Sequence, residues 1–243
     1  MHKKAFTMAE VLITLGIIGI VAAMTLPALI GNYKKKVTVT RLQRTYTVLA
    51  QAFERSRADN GDPSEWGLGA YSNTEATVEN LKEILESFSR VYMVPYLAKI
   101  QSNEFGSMQD IGYKKIKCNG TSCDAGSDNF YLTSKGLILV LNDGTTLRVT
   151  MDTRNLGTTE DRDDRYMFIT IFADINGLGG PNETGKDIFA FIVHPSGKLG
   201  FYNTDTAYTR NQKLNLCKSS GIRCGDLIMT DGWEIKDDYP YKL

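Results

Sequence analysis

The chain has 243 residues, four cysteines and equal numbers of acidic and basic side chains, 28 of each. That balance excludes a global basic field of the kind that drives nucleic-acid binding. The length allows one large or two small domains with a buried core. No G-x-S-x-G, H-E-x-x-H or P-loop sequence is present, so the common hydrolytic and nucleotide-binding chemistries lack their motifs, and the chain reads as a non-enzyme.

The first thirty residues read MHKKAFTMAEVLITLGIIGIVAAMTLPALI. A short basic leader (His2, Lys3, Lys4) and a junction through Glu10 precede an uncharged run from Val11 to Ile30. Twenty residues make a helix of about 30 Å, the thickness of a bilayer's hydrocarbon core. Eleven of the twenty are Val, Ile or Leu, which together favour insertion by roughly 3 to 7 kcal/mol. A secretory signal has a shorter apolar part, about 7 to 15 residues. A plain single-span anchor fits the length, but neither reading accounts for Glu10. A carboxylate at the edge of an apolar span is costly and usually has a partner. A cut between Ala5 and Phe6 would create that partner, an α-ammonium four residues before Glu10. In a bundle of identical helices, Glu10 of one subunit can then pair with the Phe6 amine of the next, neutralising both charges in a dry setting.

These residues resemble the type IV pilin and type II secretion pseudopilin superfamily. The resemblance rests on the basic leader, Ala5 where the family more often has Gly, Phe6-Thr7-Met8, Glu10, the helix glycines Gly16 and Gly19, and Pro27. It covers roughly the first 60 residues. It implies a prepilin peptidase that cuts after Ala5 and methylates the Phe6 amine. It also implies an assembly role for Glu10, an apolar helix forming a filament core, and a segment between glycine and proline that melts on assembly. The implied partners are copies of the chain, other pilin-like subunits, the peptidase and an inner-membrane assembly platform. The implied location is the bacterial inner membrane, single pass with the head in the periplasm. An extracellular or periplasmic filament follows.

The helix is expected to continue past the span. Leu42, Tyr46, Leu49 and Phe53 fall at i, i+4, i+7 and i+11, one face of a helix, and Asn60-Gly61-Asp62-Pro63 ends it. Pro27 inside it predicts a kink or a locally unwound segment. Gly16 and Gly19 each lower helix propensity by about 1 kcal/mol relative to Ala and, with Ala23, permit close helix approach. Lys34, Lys35 and Lys36 follow the span, whereas Lys3 and Lys4 precede it; simple positive-inside counting would place the head in the cytoplasm. The leader cut and the cysteines both need export, and the three lysines can instead meet anionic lipid headgroups.

The organisation expected is therefore residues 1–5 as leader, 6–30 as membrane or filament-core helix, 31–60 as its amphipathic continuation and 61–243 as a globular head. The fold class is α+β: a long helix whose outer half packs on an antiparallel sheet, with disulfide-stapled loops. Residues 64–117 read as mixed and mostly helical. A helix over Thr74–Arg90 is capped by Asn73 or Thr74, and the function of Val91–Ile100 is not legible. A sheet spans 129–203, with strands at Phe130–Thr133, Leu137–Leu141, Thr146–Met151, Tyr166–Ala173, Ile188–Val193 and Leu199–Tyr202. The turn signals between them make neighbours antiparallel. Residues 204–243 read as irregular.

Cys118 and Cys123 form one close pair, Cys217 and Cys224 another. Zinc would need C-x2-C-like spacing or helping histidines, so export favours disulfides. Four cysteines allow three pairings, and proximity favours the two local bridges, each worth about 2 kcal/mol.

Asp174, Asn176 and Asp187 bracket a polar loop that begins D-x-N-G. They offer hard oxygen ligands for calcium, although the bidentate Glu of an EF-hand is absent at its spacing. Some pseudopilins bind calcium in a head loop; the plain reading is a polar hairpin loop held by Asx and Gly turns. His194, the single histidine beyond the leader, reads as a surface residue at a strand end, and Glu160–Arg165 as a solvated loop. The function expected is a pilin-like structural subunit of a type IV pilus-like filament. A type II secretion pseudopilus subunit is the near alternative, and a single-span anchored, exported binding module the distant one. The head is large for a major pseudopilin.

Overall fold

The computed structural model describes residues 7–66, 78–97, 99–155, 165–194, 197–202 and 208–243. Helix α1 (Met8–Asn60) has 53 residues, a rod of about 80 Å. It stops where Gly61 takes a positive φ of 78° and donates its N–H to the Arg57 carbonyl at 3.1 Å. The rod has two halves. The apolar window is not buried against the protein at all. Farther along, Leu42, Leu49 and Phe53 are buried together with Val39, Thr45, Ala52 and Ser56. Tyr46 stacks on Phe201 with centroids 5.6 Å apart and also meets Trp233.

The helix runs continuously through Pro27, so the unwinding expected there is absent from the single subunit. A proline removes one N–H from the ladder. The flanking turns stay α-helical, and the Thr25 hydroxyl adds a bond to the Val21 carbonyl at 2.9 Å.

A short 3₁₀ turn (Pro63–Glu65) leads away from α1. Helix α2 (Val78–Phe88) passes into a π turn (Ser89–Met93) and a 3₁₀ turn (Val94–Tyr96). The capping position expected at Asn73 or Thr74 lies outside the described residues. Trp66 stacks on Tyr92 at 4.5 Å, tying this helical layer to the end of α1.

Among the described residues the sheet has six strands in sequence order, every neighbour antiparallel. They are β1 (Ile100–Gly106), β2 (Gly136–Leu141), β3 (Thr146–Asn155), β4 (Arg165–Asp174), β5 (Ile188–Val193) and β6 (Leu199–Phe201). β1 is an addition to the expected sheet, inside the stretch read as mostly helical. It is a polar edge strand, so it carries little of the alternation that marks a half-buried one. The expected strand Phe130–Thr133 is instead the end of helix α3 (Ala125–Thr133). There the Asp124 carboxylate accepts from the Ser127 N–H and the Ser127 hydroxyl accepts from the Asp124 N–H. This reciprocal cap outweighs the β preference of the aromatic residues that follow.

The sheet is covered on both faces. Leu139, Leu147, Val149, Ile171, Phe189 and Phe191 pack with the helices; Ile138, Phe172, Ile188 and Ala190 pack with Met108, Tyr113, Ile116 and Ile222. A two-sided cover explains why β5 reads as an unbroken apolar run and is buried at every position.

Residues 204–243 were expected to be irregular, yet they hold two helices, α4 (Arg210–Ser219) and α5 (Cys224–Thr230). α4 opens on a Thr209/Gln212 reciprocal cap, and Arg210 clamps Asp231 and Asp238 with bonds of 2.6 to 2.8 Å. α4 is polar and α5 has only seven residues, so periodicity does not reveal them.

Candidate functional site

Two regions hold the residues singled out from the sequence. The first is the entry to α1. Ala5 and Phe6 lie outside the described residues. Thr7 is the N-cap: its N–H and hydroxyl both donate to the Glu10 carboxylate at 2.8 Å, and its hydroxyl oxygen accepts the Glu10 N–H at 3.3 Å. The capping role of Thr7 was legible as T-x-x-E before an apolar run and was missed. The positive end of the helix dipole lies at this cap. Glu10 is exposed and satisfied within its own chain.

Gly16 and Gly19 have no atom within 4 Å of where a Cβ would stand. Among the described residues nothing requires glycine at either position. The surrounding apolar side chains are equally unpartnered: Leu12 is 67% exposed and Ile18 63%.

The second region is the loop between β4 and β5, which the structure makes a wall rather than a free hairpin. Asp174 ends β4 and Asp187 precedes β5, and both are buried. The Asp187 oxygens accept the Asn182 and Glu183 N–H groups at 2.8 and 2.7 Å. Asp174 Oδ1 accepts the Asn176 N–H at 3.1 Å, and the Asn176 amide donates to the Gly180 carbonyl at 2.7 Å. Asp174 Oδ2, Asn176 Oδ1 and Asn182 Oδ1 are buried with no hydrogen-bond partner. Burial, then the neighbouring Asp187 charge, push the Asp174 carboxyl up to about 8, and burial raises Asp187 as well. The Tyr113 hydroxyl beside Asp174 is raised by the same burial and by that carboxylate.

Two buried carboxyl groups and three unpartnered oxygens are hard donors of the type calcium accepts. Among the described residues no group of three or more His, Cys, Asp or Glu assembles, so the negative charge available is that of two aspartates. Asn182, whose Oδ1 is buried without a partner in the same loop, was not singled out from the sequence, where nothing distinguishes it from other loop asparagines.

The loop is braced by the cysteine pairs. Cys118 is bonded to Cys123 and Cys217 to Cys224. The two stapled loops lie against each other: the Thr121 N–H donates to the Lys218 carbonyl, Ser122 to Ser219, and Gly221 to Asn119, at 3.1, 2.9 and 2.7 Å. Asn119 in turn donates its N–H to Thr184 Oγ1 at 2.7 Å and its side-chain amide to the Thr184 carbonyl at 2.9 Å. Gly120 allows the approach, because a Cβ there would stand 2.2 Å from the Ser219 carbonyl oxygen.

His194 donates its backbone N–H to the Lys198 carbonyl at 3.0 Å in the β5–β6 turn. Of the run Glu160–Arg165, the first five residues lie outside the described ones, and Arg165 begins β4.

Residues 28–243 match a family described as Family of unknown function (DUF6613). The chain belongs to that family. Residues 1–26 match the Prokaryotic N-terminal methylation motif, the signature of the prepilin-type cleavage segment of type IV pilins and pseudopilins. The chain is thus a pilin-like or pseudopilin-like precursor: an apolar, membrane-anchoring N-terminal helix carrying an α+β head. No curated protein and no solved structure matches it.

Proposed function

We propose that this precursor is cut between Ala5 and Phe6 and that the mature subunit assembles, through α1, into a type IV pilus-like helical filament. One observation carries the reading. The first half of α1 exposes a continuous apolar surface with two glycines that no contact among the described residues explains. A helix that loses about 1 kcal/mol at each glycine gains it back where a neighbouring helix approaches closely. Growth of such a filament is head-to-tail, a heterologous contact that does not close. In the assembly Glu10 leaves Thr7 for the Phe6 amine of an adjoining subunit. The free subunit keeps the carboxylate satisfied until that exchange. A pseudopilus subunit of a secretion system would use the same contacts; the large head favours a pilus or minor-subunit role.

Expression with and without a prepilin peptidase, followed by N-terminal sequencing and electron microscopy of sheared material, tests the reading. A mature chain beginning at Phe6, found in filaments, is expected. A mature chain that keeps its leader and stays monomeric in the membrane would leave an anchored, exported binding module instead.

The loop favours a structural calcium ion as an addition to this function. Asp174, Asn176, Asn182 and Asp187 would hold it, and the ion would neutralise two buried carboxylates that otherwise repel. Calorimetry of the full chain in detergent should give a saturable calcium signal, lost in Asp174→Ala. No heat at millimolar calcium removes the ion from the account.

A further inference from the structure

We propose that the cleft at the foot of the head, where α1 leaves the apolar span, seats the phosphate of an anionic phospholipid. The cleft has a volume of about 750 Å³, and Tyr33, Lys34, Arg41, Lys186 and Lys242 line it. That volume lies within the range of small-molecule sites, roughly 300–1,000 Å³.

Position is the first argument. Lys34 follows the end of the apolar run at Ile30 by four residues, about 6 Å along the axis, which is the depth of the headgroup layer. Arg41 starts higher, but helix side chains lean toward the N-terminus, here toward the bilayer. Tyr33 is 68% exposed at the rim, the kind of side chain that settles at a membrane interface.

Charge is the second. Lys186 is paired with Glu183 at 2.9 Å. Lys34, Arg41 and Lys242 have no ion pair with a described residue, whereas the neighbouring lysine, Lys35, is paired with Asp237 at 3.1 Å. The one acidic side chain in the cleft wall, Asp187, has both oxygens occupied by backbone N–H groups, and the only other anionic group there is the α-carboxylate of Leu243. Three cations without an ion pair, with Lys34 at headgroup depth and Arg41 reaching down from above, outnumber the anionic groups of this concavity and suit the phosphate of a phosphodiester. The cleft across the helix is different: Lys35, Lys36 and Lys236 there face Glu234 and Asp237, close to balance. The proposal rests on insertion of α1 in a bilayer and is independent of filament growth. Its consequence is a head held down on the membrane until the subunit is withdrawn.

The test uses the full chain in nanodiscs of equimolar phosphatidylglycerol and phosphatidylcholine, kept in EDTA so that no divalent ion bridges. Mass spectrometry reads the lipid retained on transfer to detergent. Wild type should retain phosphatidylglycerol in preference, and Arg41→Gln/Lys242→Gln should lose that preference, by roughly fivefold per cation removed. Lys35→Gln/Lys36→Gln removes the same charge outside the cleft and should keep it. Equal loss in both variants would mean diffuse attraction and overturn the cleft assignment. Displacement of the lipid by millimolar inorganic phosphate would make it a free-anion site and overturn the lipid assignment. No preference in wild type overturns the proposal alone; failure to enter any disc overturns it together with the anchored reading. Intact disulfides and an unchanged melting curve qualify each variant for comparison.

Discussion

Glu10 has a partner inside its own chain and, on the proposed assembly, exchanges it for another. Thr7 offers two donors within the chain; a processed neighbour would offer an ammonium. Glu10→Val removes both while leaving the leader and Ala5 untouched, so processing should continue at the normal position while filaments disappear from the sheared fraction, read by N-terminal sequencing and immunoblot. Thr7→Val isolates the cap. It should lower the stability of the first turn by about 1 kcal/mol yet leave assembly possible, because the intersubunit pair does not use the hydroxyl. Asp174 makes a second residue-scale prediction. Its folded carboxyl titrates near 8 against 3.8 for the ordinary group. Between those values the folded state holds a proton that the unfolded state has lost. Without calcium, stability should therefore be full near pH 4 and fall as pH rises toward 8, by at most about 1.4 kcal/mol per unit. Melting the full chain in EDTA at pH 5.5 and pH 8 measures the slope. Asp174→Asn should flatten it, and calcium should restore stability most at pH 8.

At the scale of elements, the bridge between α4 and α5 does more than its length suggests. Cys217 and Cys224 are both fully buried, and their loop lies against the first stapled loop and the turn at Thr184. Replacing both with Ser should lower stability by roughly 2–3 kcal/mol by loop entropy, about 5–10 °C in melting temperature. Reading this scale from the sequence succeeded where burial has one simple period. The stripe Leu42, Leu49 and Phe53 is buried as a helical face should be, and β2 to β6 sit within a few residues of their expected places. It failed where a local side-chain bond or an edge position decides. Asp124 and Ser127 turn Phe130–Thr133 into helix. Ile100–Gly106 is a strand because β2 offers it a ladder, a partner no local window contains. In the loop, Asp174 and Asp187 were legible as oxygen donors, but their burial comes from a second sheet cover supplied by residues 107–133, which no motif announces.

At the scale of the whole molecule, the chain divides at the point where burial on α1 begins. Val39 is its first buried residue, so a chain starting at Asn32 should keep the head intact and lose its need for detergent. Sedimentation and circular dichroism of residues 32–243 check this; aggregation would mean that the apolar half of α1 contributes to the head's fold. The head itself is fastened from one side. Tyr239 donates its hydroxyl to the Gly185 carbonyl, and Tyr241 donates to that of Cys217 at 2.7 Å. A Cβ on Gly185 would meet the Tyr241 ring, so the clasp is close as well as hydrogen-bonded. Both tyrosines leave the ribosome after β1 to β6 and all four cysteines. A nascent polypeptide stalled before them owns these six strands but not their latch. Its second disulfide ring then lacks the hydrogen bond that Tyr241 gives to the Cys217 carbonyl.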